Sequence, residues 1–107
     1  MDVHRNLGPG LLEIVYKDAL EYEIKTNNIP YIREKEFIVR YKDIVLPHKY
    51  YADFIVYDNI ILEAKAIKDL SKDFTKLVLN YMSLAKSRLG ILVNFGEDSL
   101  KYKRFVL

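Results

Sequence analysis

Two runs of β-branched and aromatic residues, 50–57 and 60–65, flank Asp58-Asn59, a residue pair common in tight turns. They predict a β-hairpin, and charged residues interrupt both of its strands. Asp53 lies within the first strand, and Glu63 and Lys65 lie within the second. Placing a carboxylate inside an apolar strand costs several kcal/mol unless it is paired or bound to a metal. The chain must therefore fold so that these carboxylates meet a compensating partner.

The length of the hairpin loop decides which face of the sheet each carboxylate occupies. Side chains alternate across a strand, so Glu63 and Lys65 share one face. A two-residue loop places Asp53 opposite Ala64, on the face away from Glu63. A three-residue loop, with its last residue Asn59 in the left-handed conformation, places Asp53 directly opposite Glu63. The sequence leaves both registers open.

The two registers predict different chemistry. In the longer loop, two carboxylates ~5 Å apart at Cβ repel unless a cation or a proton lies between them. Such an oxygen-rich site suits magnesium or manganese. In the alternative, Asp53 accepts a hydrogen bond from Lys65 in a local ion pair, and Glu63 points to water at a sheet edge.

A helix is expected from Leu11 to about Lys25, after Gly8-Pro9-Gly10. Pro9 suits the first turn because its missing N–H would have no intrahelical partner there. Apolar residues at spacings of three and four predict the buried face, formed by Leu11, Leu12, Val15, Ala19 and Tyr22. The charged positions left for solvent are Lys17, Asp18, Glu21 and Lys25.

The remaining elements are mostly strands. Residues 31–41 predict a long, half-exposed strand, and Pro47 and His48 are expected to interrupt the chain before the next strand. Ser71 is expected to cap a second helix, whose apolar positions are Phe74, Leu77, Val78, Tyr81 and Ala85. Residues 90–95 predict a strand buried on both faces, and residues 102–107 an edge strand. This order predicts a mixed α/β sheet with one parallel crossover.

The composition fits one domain, residues 1–107. The chain has no cysteine, which excludes disulfide frameworks, thiolate zinc sites and thiol nucleophiles. It begins without the pattern of a signal peptide, and no apolar stretch approaches the ~20 residues that span a bilayer. We therefore expect a cytoplasmic location and no membrane partner. Half of the residues are hydrophobic, which is much for so small a core, so a homodimer is expected.

The formal charge of +2 is too small for binding nucleic acid by bulk electrostatics. Basic residues nevertheless cluster in two places, together with several of the nine tyrosines. Such a mixture suits a phosphate backbone with stacked bases, although a solvated surface explains it as well. The clusters are Lys68, Lys72, Lys76, Lys86 and Arg88, and then Lys101, Lys103 and Arg104.

Several motifs together resemble the GxxExxY protein family of the PD-(D/E)XK nuclease superfamily. The first, quite specific, is Val-His-Arg at residues 3–5 followed by Leu-Gly-Pro-Gly-Leu-Leu-Glu at residues 7–13. Tyr50 with Ala52-Asp53, the Glu63-Ala64-Lys65 element, and the run at residues 89–95 complete the pattern. The resemblance runs nearly from end to end of the chain.

The resemblance implies a fold, a metal and a substrate. The fold is a PD-(D/E)XK nuclease-like central mixed β-sheet flanked by helices in the order α-β-β-β-α-β. The metal, Mg²⁺ or Mn²⁺, would be held by Asp53 and Glu63. Lys65 would lie beside the attacking water, and Glu13 would reach in from the first helix. The implied activity is hydrolysis of phosphodiesters in DNA or RNA.

Two positions differ from what family members commonly carry. Tyr51 stands in place of an Arg just before the Ala-Asp pair, and Leu77 stands in place of a Gln four residues before Tyr81. Side chains that would hold the substrate or the lysine are thus replaced. These differences favour the alternative, a catalytically weak or inactive nuclease-fold module that binds nucleic acid or protein.

Overall fold

The computed structural model describes residues 2–70 and 74–107. They form one five-stranded sheet with helices packed against it. The strands lie side by side in the order β1-β2-β3-β4-β5. β3 and β4 are parallel, and the other neighbours are antiparallel. The elements are α1 (Asp2–Leu7), α2 (Glu13–Thr26), β1 (Tyr31–Tyr41), β2 (Ile44–Val56), β3 (Ile60–Lys65), α3 (Thr75–Ala85), β4 (Leu89–Asn94) and β5 (Lys101–Val106).

The expected mixed sheet is confirmed, including the parallel pair joined through α3 and the final edge strand. The short helix α1 is an addition to the expected order. None of the helices in the described part of the chain is long and apolar enough to cross a membrane.

The sheet carries an apolar core on each face. Alternating side chains of β3 divide between the two cores: Ala64 packs with Tyr16 of α2, and Ile61 packs with Val78 and Met82 of α3. The sheet is therefore the middle layer, with α2 on one side and α3 on the other.

Helix α2 buries a different face from the one that its apolar spacing predicts. Tyr16, Leu20 and Ile24 are buried, whereas Leu12 and Tyr22 are 74% and 66% exposed. Spacings of four residues fit both faces equally well, so periodicity alone cannot choose between them.

Tyr16 explains the choice of face. Its ring stacks on Phe95 with the centroids 4.9 Å apart, and its hydroxyl donates a hydrogen bond to the Gly8 carbonyl. The same hydroxyl accepts a hydrogen bond from the Leu11 backbone N–H at 3.1 Å. These contacts hold the turn before α2, so the helix begins at Glu13 and Pro9 lies outside its first turn. The prediction for Pro9 was wrong for this reason.

β2 continues through Pro47 and His48, where the sequence predicts an interruption. The register between β1 and β2 shifts at this point, between Ile38 and Arg40 of β1. Proline has no N–H for the ladder, and a bulge tolerates it. The expected break is therefore an irregularity within one long strand.

The β2–β3 turn has the longer of the two loops. Val56 pairs with Ile60, so three residues lie between the strands. The left-handed residue is Tyr57, at φ 53°, and not Asn59 as expected. The Asn59 side chain instead donates a hydrogen bond to the Ala85 carbonyl at the end of α3, at 2.8 Å. The turn is thus tied to the helix by Asn59, and the strained conformation falls on Tyr57.

The sequence predicts that a serine caps the beginning of α3. Ser71, expected to cap the helix, lies outside the described residues. The residue before the first helical turn is Phe74, and its side chain makes no capping hydrogen bond.

Candidate functional site

Asp53 of β2 and Glu63 of β3 face each other at the point where the two strands separate. The ladder between these strands ends at the pair Phe54↔Leu62, and the same register places Asp53 opposite Glu63. Both residues are buried, with 7% and 3% exposed. The alternative in which Glu63 points into water is therefore wrong.

Beyond the last backbone pair of the β2–β3 ladder, the two carboxylates accept hydrogen bonds from backbone N–H groups of the opposite strands. Glu63 Oε1 accepts a hydrogen bond from the Asp53 backbone N–H at 3.2 Å. Asp53 Oδ2 accepts one from the Ala64 backbone N–H at 2.8 Å. Each carboxylate is thus fixed by the backbone of the opposite strand, which holds its remaining oxygen in a defined direction.

In β2, the regular alternation of side chains between the two faces of the sheet is broken at Asp53. Ala52 and Phe54 are two residues apart, yet they pack in opposite cores, so the alternation of side chains is broken between them. Across the ladder, between the pairs Arg33↔Phe54 and Lys35↔Ala52, Glu34 has a left-handed φ of 56°. This local distortion explains how Asp53 comes within reach of helix α2.

Lys17 of α2 reaches into the site, although the sequence predicts it in solvent. Its Nζ lies 2.7 Å from Asp53 Oδ1 and 3.0 Å from Glu13 Oε2, and its side chain is 13% exposed. Burial alone lowers the pKa of the Lys17 ammonium, but its hydrogen bonds to Asp53 and Glu13 outweigh burial and raise that pKa. Lys17 is therefore a charged counter-ion of the carboxylates.

Glu63 has a strongly altered affinity for protons. Burial, a hydrogen bond to the Asp53 carboxylate and the negative charge of Asp53 raise the pKa of Glu63 to about 9. At neutral pH the pair is thus compensated by one proton at Glu63 and one ammonium at Asp53. This is how two carboxyl groups remain buried side by side.

Lys65 lies beside the site without joining its ion pairs. Its Nζ is 5.3 Å from the centroid of the Phe74 ring. Among the described residues, the cation paired with Asp53 is Lys17 and not Lys65. The predicted local ion pair between Asp53 and Lys65 is therefore wrong.

Glu13 lies at the rim of the site, on the first turn of α2. Its side chain is 37% exposed, and among the described residues its ion pair is with Lys17. The structure thus brings Asp53, Glu63, Lys17 and Glu13 together, with Lys65 beside them. Lys17 follows Glu13 by four residues, and that spacing is the one sequence signal that points to it.

Tyr81 of α3 is a further group near the carboxylates that sequence reasoning assigned only to the core. Burial and the negative charges of Glu63 and Asp53 raise the pKa of its phenol. Its helical spacing correctly predicts burial, but gives no sign that the hydroxyl lies near charged groups.

Asn94 fixes the chain that follows Lys65. This fully buried side chain accepts hydrogen bonds from the N–H groups of Ile67 and Gly96, at 3.0 and 3.1 Å. It donates to the Ile67 carbonyl at 2.9 Å and to Glu97 Oε2 at 2.8 Å. The segment after β3 is thereby clamped to the segment after β4.

An open cavity of about 710 Å³ lies at the carboxyl ends of these two parallel strands. It is lined by residues 9–11 before α2, residues 66–68 after β3, and residues 96–99 and 101. Asp53 and Glu63 are not part of its wall. Ala66, the neighbour of Lys65 in the chain, is one of its lining residues.

The donor set suits a hard cation with few protein ligands. Within residues 2–70 and 74–107, no group of three or more acidic, histidine or cysteine residues is arranged to hold a metal ion. Mg²⁺ commonly binds through one or two carboxylates and keeps water or phosphate oxygens as its other ligands. Asp53 and Glu63 are two such groups, and a metal bound by them would have to displace the Lys17 ammonium and the Glu63 proton.

Comparisons with known proteins bear on the fold and the family of the chain. Residues 1–105 match the sequence model of the PD-(D/E)XK nuclease superfamily. No curated protein matches the chain significantly. The crystal structure of SSO0001 is similar in fold, with a TM-score of 0.65 and 21% sequence identity. The similarity covers 86% of this chain and 48% of SSO0001, so the chain spans about half the length of that protein.

The family match extends over nearly the whole chain, and the mixed sheet with its buried Asp53 and Glu63 has the order of elements that the motifs imply. The chain therefore belongs to the PD-(D/E)XK nuclease superfamily.

Proposed function

We propose that the chain is a metal-dependent nuclease of the GxxExxY kind, which hydrolyses phosphodiesters of DNA or RNA. The observation that carries the proposal is the pair of buried carboxylates, Asp53 and Glu63, held opposite each other at the divergence of two strands. Burying two such groups is costly, and a structural role alone does not require it.

Asp53 and Glu63 would hold Mg²⁺ or Mn²⁺ through their carboxylate oxygens. When bound, such an ion lowers the pKa of a coordinated water and neutralises charge on a phosphodiester. The chain's own contribution is to fix both carboxylates through the backbone N–H groups of Asp53 and Ala64, so that their geometry is set before substrate arrives.

Lys65 is the proposed catalytic lysine. It follows Glu63 by two residues on the same strand, and its ammonium is suited to orient the attacking water and to stabilise negative charge on the phosphate. For this role the Lys65 ammonium must turn from the Phe74 ring toward the carboxylates. Glu13 acts as an accessory acid at the rim of the site, through its contact with Lys17.

The cavity at the ends of β3 and β4 carries charges of both signs, since Lys68 and Lys101 line it together with Glu97 and Asp98. Both lysines belong to the basic clusters noted in the sequence, and in the proposed function they contact the phosphates of the substrate. Lysine side chains bind phosphate oxygens without regard to base sequence. A strand that contacts these two lysines would pass the end of β3, next to Lys65.

The second candidate function is a nuclease-fold module without catalysis, which binds nucleic acid or protein. Two contacts favour it: the Lys65 ammonium lies against the Phe74 ring, and Lys17 already compensates Asp53. Under this alternative the carboxylates and Lys17 form a closed structural network, and no metal is needed.

A cleavage assay separates the two functions. The protein is incubated with single- and double-stranded DNA and RNA, in Mg²⁺, in Mn²⁺ and in EDTA. We expect metal-dependent cleavage that is lost in Glu63→Ala and Lys65→Ala and kept in Asp58→Asn, which changes an exposed carboxylate in the β2–β3 turn. Absence of cleavage of every substrate by the wild-type protein would contradict the nuclease and support the binding module.

The membership in the GxxExxY family, the homodimer and the cytoplasmic location predicted from the sequence remain predictions. The cytoplasmic location is compatible with the proposed nuclease, because hydrolysis of an intracellular nucleic acid requires no thiol or disulfide chemistry.

A further inference from the structure

The place of a cation at Asp53 is already taken by a side chain of the protein itself. Asp53 Oδ2 accepts the Ala64 backbone N–H, and Oδ1 is the oxygen left to face the site. Lys17 Nζ lies 2.7 Å from this Oδ1. The oxygen that a metal would use is therefore in contact with an ammonium ion.

The two cations cannot share this position. A Mg²⁺ ion lies ~2.1 Å from a ligand oxygen, so an ion on Oδ1 would lie within a few Å of the Lys17 ammonium. Charges of +2 and +1 at that separation repel strongly in a site with little water. Binding at Oδ1 therefore requires the Lys17 ammonium to move away.

Glu13 offers the ammonium an alternative partner. Lys17 follows Glu13 by one helical turn, and the two are already in contact at 3.0 Å. Glu13 is at the rim, so the Lys17 ammonium remains paired when its contact with Asp53 breaks.

We propose that Lys17 is a resident counter-cation that competes with a divalent metal for Asp53 Oδ1 and thereby sets the metal affinity of the site. The inference rests on the metal site of the proposed function and adds its regulation. In the metal-free protein Lys17 neutralises Asp53, and in the metal-bound protein it pairs with Glu13 alone. Lys17 is thus a positioning residue and not a catalytic one.

A purely structural role for Lys17 makes the opposite prediction. If Lys17 only compensates a buried charge, its removal leaves Asp53 unpaired and destabilises the fold, with no gain in metal binding. Metal affinity, measured on the folded protein, is therefore the readout that distinguishes the two roles.

The test is a titration of wild-type protein and Lys17→Met with Mn²⁺ alone, with free Mn²⁺ followed by electron paramagnetic resonance. We expect the dissociation constant to fall at least about tenfold in Lys17→Met, since methionine keeps most of the length of the side chain and removes the competing charge. The matched control is Lys25→Met, which removes the same charge from an exposed position of α2 and should leave the constant unchanged. The gain should disappear in the double variant Lys17→Met with Asp53→Asn.

An unchanged or weaker affinity of folded Lys17→Met would overturn the inference. Should this variant fail to fold, the wild-type protein still tests it, by nuclear magnetic resonance of the lysine ammonium groups during titration with Mg²⁺. The Lys17 signal, identified by its shift in Asp53→Asn, should change as the metal binds. A Lys17 signal that stays constant while metal binds would also overturn the inference.

The outcome is separable from that of the cleavage assay. Tighter Mn²⁺ binding by Lys17→Met without cleavage by any variant would support the counter-cation and contradict the nuclease. Cleavage that depends on Asp53 and Glu63, with a metal affinity insensitive to Lys17, would support the nuclease and contradict the counter-cation.

Discussion

Glu63 is the single residue whose chemistry the fold alters most. Its carboxyl group is nearly inaccessible to water and lies against Asp53, and these two causes raise its pKa to about 9. The metal-free protein therefore carries a proton on Glu63 at neutral pH. That proton links the stability of the fold to pH.

We predict that the metal-free protein loses stability as the pH rises from about 5 to about 9. In this window the folded protein keeps the Glu63 proton, whereas the unfolded chain, with an ordinary glutamate pKa near 4.5, has released it. The free energy of unfolding decreases with pH wherever the folded state binds more protons. The contribution is complete below the unfolded pKa and is lost as the pH passes the folded pKa. Urea denaturation in EDTA at several pH values measures it.

Glu63→Gln should remove this dependence, because glutamine keeps the size and hydrogen-bonding capacity of a neutral acid and does not titrate. Glu36→Gln makes the same change at a half-exposed position of β1 and should keep the wild-type slope. A slope in Glu63→Gln equal to that of the wild type would show that another group is responsible.

The residues of the site differed in how far the sequence revealed them. Asp53 and Glu63 stand out because a carboxylate is unexpected inside an apolar strand. The three-residue loop that sets them opposite each other was one of the two loop lengths that the sequence left open. Lys17 was missed because its reach into the site depends on which face α2 buries and on the distortion of β2 at Asp53. Those are properties of tertiary packing and leave no local pattern in the sequence.

Helix α3 packs closely on β4, and a glycine allows this approach. A Cβ atom on Gly90 would lie 2.7 Å from both Met82 Sδ and Val78 Cγ1. Such separations are well inside van der Waals contact, so the Met82 and Val78 side chains, or the helix that carries them, would have to move away from the strand. Gly90 therefore sets the distance between α3 and the sheet.

We predict that Gly90→Ala destabilises the protein by about 1–3 kcal/mol, the usual cost of adding a methyl group to a packed core. Urea denaturation gives the change in unfolding free energy. The same substitution in a Met82→Ala background should cost less, by at least about 0.5 kcal/mol, because the flexible side chain that it would strike is gone. Equal costs in the two backgrounds would place the strain elsewhere.

The elements themselves were largely predictable, and the exceptions have physical reasons. β3 and β4 follow from short apolar runs, and the parallel pairing follows from the helix between them. The break expected at Pro47 failed because a bulge accommodates a residue without an N–H. The buried face of α2 was wrong because two faces have similar spacing, and the stacking of Tyr16 on Phe95 decides between them.

At the scale of the whole molecule, the face of α2 that the sequence predicts as buried remains in water except at Ala19, which packs against the core. Leu12, directly before this helix, and Val15 and Tyr22 within it belong to that face, and each is more than a third exposed. Large exposed apolar surfaces mark sites of protein contact, and this stripe of side chains is such a surface on α2. The same helix carries Glu13 and Lys17 on its other side, next to the carboxylates.

We predict that the protein forms a homodimer through this face of α2. A symmetric contact would bury the same stripe on both copies, which is the common form of small oligomers. Size-exclusion chromatography with light scattering at high micromolar concentration should give twice the 12.6 kDa of one chain. Tyr22→Glu, which places a charge in the stripe, should give the monomer mass, whereas Tyr102→Glu, at an equally exposed tyrosine of β5, should leave the dimer intact. A wild-type protein that is strictly monomeric at that concentration would refute the dimer, and a dimer unaffected by Tyr22→Glu would refute the assignment to α2.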